Sequence, residues 1–270
     1  MLKEENLGFF KIANKNRLSP DYIRIFYGGV FAYTSIPMLI MFLGVLLNGD
    51  KISLTPFEKI VVQTEVKLYI LEFIFLIISI SKKIAFKLQK LQTLVTVFYS
   101  FQLATLPFIV MVVEGIYDFP SDNKTLVYVG LILLGAICTH IVATIDVFRK
   151  AKHGGYKLEG PAVSFFTDTK LYFLIGITIS VIVLLVLIFL NLNYTFDEMA
   201  IYVTQTIILY IFAVVSAEFV LLVYCRFKFP SFNITWKQHE KERQEFIANR
   251  KRIRERERKK KNKNLNDNCK

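Results

Sequence analysis

A chain of 270 residues that is 54% hydrophobic yet 21% charged, with a mean hydropathy of +0.43, is too apolar for an ordinary soluble domain. Its polar and apolar residues must therefore fall in blocks. The net charge of +12 is local: residues 226–270 hold 16 basic and six acidic side chains and the remainder is nearly neutral, which excludes a basic nucleic-acid-binding domain as the body of the chain.

The first block, residues 1–24, is a polar arm with five basic side chains and no cleavable signal pattern. Six apolar stretches follow at 25–48, 60–81, 92–114, 125–147, 171–192 and 200–225, each close to the ~20 residues that a helix needs to cross a hydrocarbon core. The second holds Glu65, Lys67 and Glu72, and each such charge at a helix centre opposes insertion by about 3 kcal/mol. Packing against neighbouring spans is needed to offset that cost.

The connections alternate in charge. Of 34 Lys and Arg, 30 lie in the arm, the second and fourth connections and the tail, and every Arg is among them. Basic residues are retained on the cytoplasmic side, so the pattern predicts an all-α polytopic membrane protein, a six-transmembrane-helix bundle with both termini in the cytoplasm (N-in/C-in). The expected location is the cell membrane as a multi-pass protein. The outer connections are too short for an ectodomain.

Three ionisable residues fall inside the spans: Glu72 in the second, His140 in the fourth and Glu218 in the sixth. Their depths differ by about 8 Å at 1.5 Å per residue, so convergence is compatible with the sequence. The plainer reading is interhelical hydrogen bonding, worth about 0.6–2 kcal/mol per contact. The functional reading is a proton or cation relay of two carboxylates and an imidazole. The remaining polar points suggest that spans two, four and six line the interior while one and five meet lipid. Gly176 with Ser180 and Ala213 with Ala217 have the four-residue spacing of close helix contacts. Asp146 is expected to pair with Arg149 or Lys150 one turn later.

No catalytic, nucleotide-binding or metal motif is present, which argues against an enzyme, a metal centre and a cofactor. Cys138, Cys225 and Cys269 have no paired spacing, and His153-Gly154-Gly155 reads as a plain turn. After Pro230 the segment "WKQHEKERQEFIANRKRIRERERKKKNKN" is rich in helix formers and poor in apolar surface, predicting a charged cytoplasmic helix extending from span six over a tail domain of 226–270. Glu255 with Lys259 and Glu257 with Lys261 are spaced for local pairing.

The basic cluster Arg250, Lys251, Arg252, Arg254, Arg256, Arg258, Lys259, Lys260 and Lys261 is the candidate surface for an anionic partner. Anionic lipid headgroups at the cytoplasmic face fit first and an acidic protein next; RNA fits less well and DNA poorly. The expectation is an integral membrane protein acting through protein–protein interaction, as an accessory subunit, a toxin-immunity protein or a membrane-complex component. The alternative is a small proton- or cation-coupled transporter or channel using Glu72, His140 and Glu218.

Overall fold

A computed structural model describes residues 2–16, 18–48, 56–112, 123–158, 169–190 and 196–268, and these are helical without strands. The elements are α1 (Gly8–Asn16), α2 (Pro20–Asn48), α3 (Pro56–Ile80), α4 (Lys82–Lys87), α5 (Gln89–Val112), α6 (Asn123–Lys152), α7 (Thr169–Leu190), α8 (Phe196–Lys228) and α9 (Trp236–Asn268). Single 3-10 turns lie at Glu4–Leu7 and Pro230–Phe232. The described part of each of the six apolar stretches is helical, and several of the helices run past the apolar run at one or both ends.

Among the described residues, three helices are long and apolar enough to cross a membrane: Pro20–Leu43, Val127–Lys152 and Met199–Lys228, with mean hydropathies of 1.6, 2.1 and 2.5. Their outward faces carry large apolar side chains such as Ile36, Phe42, Leu134, Ile141 and Ile211, which water would not favour. The chain is an all-helical protein of membrane type.

Helix α8 packs against α5, α6 and α7, and α2 packs against α3 and α5, so neighbours run α3, α2, α5, α8, α6 with α7 beside the last two. The centre is therefore α5 with α8: of the second, fourth and sixth spans expected there from their polar residues, the sixth, α8, is central, and it is joined by the third, α5. The reason is local: α5 presents Thr96, Ser100 and Ala104 and α8 presents Ala213, Ser216 and Ala217, all buried, and small side chains let helix backbones approach closely.

Tyr210 of α8 uses the same device towards α6 and α7. A Cβ on Gly135 would sit 2.2 Å from its hydroxyl, and one on Gly176 would sit 2.6 Å from its ring. Gly176 and the buried Ser180 thus do serve a close contact, as do the buried Ala213 and Ala217.

Helix α3 is turned inside out relative to a soluble helix. Glu65, Glu72 and Ser79, spaced by seven, are its buried positions, while Ile70, Phe73, Ile74 and Ile77 point outward. That arrangement suits a helix with apolar solvent outside and polar partners within.

The last helix is not an extension of α8. Pro230 has no N–H to continue the ladder, and the chain turns through Pro230–Phe232 before α9 restarts at Trp236. Thr235 and Gln238 close a capping box there: the Gln238 N–H donates to Thr235 Oγ1 at 3.3 Å and the Thr235 N–H to Gln238 Oε1 at 3.2 Å.

Candidate functional site

The polar segments fold into one cap over the end of the bundle from which α9 leaves. Helix α6 stops at Gly154, whose φ of 81° needs no Cβ, and Gly155 N–H donates to the Lys150 carbonyl at 2.9 Å in a Schellman closure. This is the turn expected at His153-Gly154-Gly155. The chain beyond it receives the arm: Phe9 N–H donates to the Tyr156 carbonyl at 2.8 Å, Asn6 Nδ2 to the Lys152 carbonyl at 2.9 Å, and Leu7 and Phe10 are fully buried. The arm is thus a folded part of the cap.

Arg226, in the last turn of α8, is the cap's hub and is only 1% exposed. One guanidinium nitrogen, Nη1, donates to the Gln89 carbonyl at 2.9 Å and to Thr93 Oγ1 on α5. The other, Nη2, donates to Asn14 Oδ1 at 3.1 Å and the Leu18 carbonyl at 2.8 Å. Gln89 in turn brackets Ile234, accepting from its N–H at 3.2 Å and donating to its carbonyl at 3.3 Å. Asn14 Nδ2 donates to the Phe232 carbonyl at 3.1 Å, and Asn233 Nδ2 to the Arg226 carbonyl at 2.8 Å. Among the described residues no carboxylate pairs with this cation, so neutral acceptors from the arm, α5 and the α8–α9 connection compensate its burial.

Helix α9 leaves this cap on a fixed base. Trp236 meets Phe86 of α4 at 5.4 Å edge to face, His239 meets the same ring at 4.8 Å, and Lys82 Nζ lies 5.7 Å from the Trp236 ring centre. Lys15 of α1 pairs with Glu242 at 2.9 Å. From Lys241 to Arg252 every side chain is exposed. Of the basic cluster, Arg250, Lys251 and Arg252 are therefore open to solvent, with Arg250 5.5 Å from the Phe246 ring centre. The side chains of Arg254, Arg256, Arg258, Lys259, Lys260 and Lys261, and with them the Glu255–Lys259 and Glu257–Lys261 pairs, lie outside the described residues, as does Cys269.

The three ionisable candidates of the apolar stretches have different neighbours. Glu72 is buried on α3, where its Oε2 accepts from Thr34 Oγ1 of α2 at 3.0 Å. His140 on α6 faces α8, with Nδ1 2.9 Å from the Ala213 carbonyl and 2.9 Å from Ser216 Oγ, and its ring stands edge to face on Phe101 of α5 at 4.7 Å. A carbonyl only accepts, so that contact requires the proton on Nδ1. Glu218 on α8 lies near Tyr156 in the cap, whose phenol is raised above its ordinary pKa by burial and by the charges of Glu218 and Asp146. Asp146 itself pairs with Lys150 at 2.7 Å, as its spacing predicts.

Sequence reasoning passed over Arg226, Asn14, Gln89 and Thr93, which lie in polar or helix-end segments and look like solvated positions. Glu65, one of the charges that oppose insertion of the second stretch, is buried and receives Gln102 Nε2 of α5 at 3.4 Å. Its seven-residue spacing from Glu72 was the available signal. No family model matches the chain, and no curated protein or solved structure matches it either.

Proposed function

We propose that this chain is a six-span membrane protein with both termini in the cytoplasm that acts by binding another protein, with α9 as its contact helix. The observation that carries the reading is the contrast along α9: Trp236, His239 and Glu242 are tied to α4 and α1, while the following turns are exposed and strongly basic. A helix that is polar all round has no core of its own to join, so a fixed base followed by a free charged stem suits presentation to an acidic surface. The partner is a protein component of a membrane complex, with anionic headgroups as a second attraction worth about 1 kcal/mol per basic residue near the leaflet. The six-span, N-in/C-in arrangement is supported by the inverted polarity of α3 and by the segregation of basic residues in the connections.

Purification of the full chain in mild detergent tests this. A reproducible acidic partner should accompany the wild type and be lost when Arg250, Lys251 and Arg252 are changed to Glu, with melting of the bundle unchanged. A partner that survives the charge reversal, or a monomer with specific substrate flux in vesicles, would reject the reading.

A further inference from the structure

A second feature lies within the bundle, away from α9 and independent of what that helix binds. Helix α3 turns Glu65 and Glu72 into its contacts with α2 and α5, and they are only 6% and 1% exposed. One oxygen of each is answered by a neutral donor, Gln102 Nε2 for Glu65 and Thr34 Oγ1 for Glu72. Three more buried oxygens have no hydrogen-bond partner: Glu72 Oε1, Gln102 Oε1 and Tyr99 Oη. Tyr99 is 2% exposed and close enough to Glu72 for the two to interact electrostatically, and Gln102 follows one turn later on the same face of α5.

No described cation of the chain answers this charge. Among the described residues neither carboxylate forms an ion pair. Lys59 and Lys67 of α3 are exposed. Helix α4 packs at the far end of α3, where Lys82 approaches Asp21 at 4.0 Å and Lys83 and Lys87 are exposed. The groups facing Glu72 are Thr34 from α2, Tyr99 from α5 and Glu65 from α3 itself, with Tyr27 behind Tyr99 at 5.6 Å between ring centres. Two carboxylates with unmatched neutral oxygens, in a region walled by apolar side chains, cannot both stay charged without a positive charge from outside.

We propose that Glu72, Glu65, Gln102, Tyr99 and Thr34 form a binding site for one monovalent cation, either a proton or a small alkali ion such as Na+. The shared chemistry is one positive charge held by a carboxylate, with hard neutral oxygens to complete its coordination or accept its hydrogen bond. Glu72 is the primary holder, since both its burial and its free Oε1 point to it.

Two measurements on the full chain in lipid nanodiscs separate the sources. Infrared difference spectra across a pH step read a protonated carboxyl group; a titrating carboxyl band that disappears in Glu72→Gln identifies the proton. Thermal melts in NaCl, KCl and choline chloride at equal ionic strength read an alkali ion; selective stabilisation by one salt, absent in Glu72→Gln, identifies the metal cation. Tyr99→Phe and Gln102→Leu keep both carboxylates, so they carry the test if Glu72→Gln does not fold. Each should weaken alkali affinity about tenfold, or shift the titration of the carboxyl band, through loss of one polar contact. A protein with no protonated carboxyl at any pH where it is folded, and with melting indifferent to the cation, would overturn the proposal.

Discussion

Arg226 and Gln89 belong to a closed circuit: the guanidinium donates to the Gln89 carbonyl, the Gln89 side chain brackets Ile234, and Asn233 returns to the Arg226 carbonyl. The circuit joins α8, α5 and the connection to α9, with the arm entering through Asn14. Arg226→Ala removes the charge but leaves its neutral acceptors without a donor, and each buried group left unsatisfied should cost about 1–3 kcal/mol. Arg226→Lys should remain well below wild type, because an ammonium lacks the planar fork that serves four acceptors at once. Thermal melting in detergent reads both, and wild-type melting of Arg226→Ala would mean that the cap holds without its hub.

The two glycines against Tyr210 make a sharper test, since they meet different parts of one side chain. Gly135→Ala places its methyl against the hydroxyl alone, and Gly176→Ala against the ring. Each should cost about 1–3 kcal/mol through overpacking. Tyr210→Phe should rescue most of the loss at Gly135 and little at Gly176, and a double-mutant cycle measures both couplings.

Trp236→Ala should release α9 while leaving the bundle folded. An aromatic pair is worth about 0.5–1.5 kcal/mol, and Trp236 touches both Phe86 and His239. Spin labels on α1 and on the outer part of α9 should give a narrow distance distribution in wild type and a broad one in the variant. Equal widths would show that the base is held by its other contacts, His239 against Phe86 and Lys15 with Glu242.

Attachment of the arm should depend on acidity. Glu4 has its pKa lowered by the Ser231 hydroxyl and by Lys11, so its carboxylate is favoured in the folded arrangement. The contribution is present above the ordinary glutamate pKa and is lost as pH falls through the lowered folded value. Exposed pairs of this kind are worth about 0.2–1 kcal/mol, so the effect is local. Amide protection of Gly8–Asn16, corrected for the intrinsic pH dependence of exchange, should fall on acidification, and Glu4→Gln should remove most of that dependence.

Much of the helical order was legible because lipid-length apolar runs announce themselves residue by residue. Glu72 and His140 were visible for the same reason, as ionisable side chains inside such runs. Arg226 was not, because its burial is created by the arm and the Pro230 connection folding over a helix end, a non-local event with no periodic trace. Tyr210 was hidden likewise, since its fit depends on glycines of two other helices. The central position of α5 could be read only weakly from Thr96, Ser100 and Ala104, whose small size matters more than their polarity.

The inverted polarity of α3 constrains how the protein is made. In the proposed six-span arrangement α3 carries Glu65 and Glu72 into the bilayer as it leaves the ribosome, while Gln102, the partner of Glu65, has yet to be synthesised. Only Thr34 is already available, on the preceding helix. In that arrangement α2 and α3 would partition as a hairpin, with Glu65 left wanting until α5 arrives, so the insertion machinery would have to retain all three before releasing any of them to lipid.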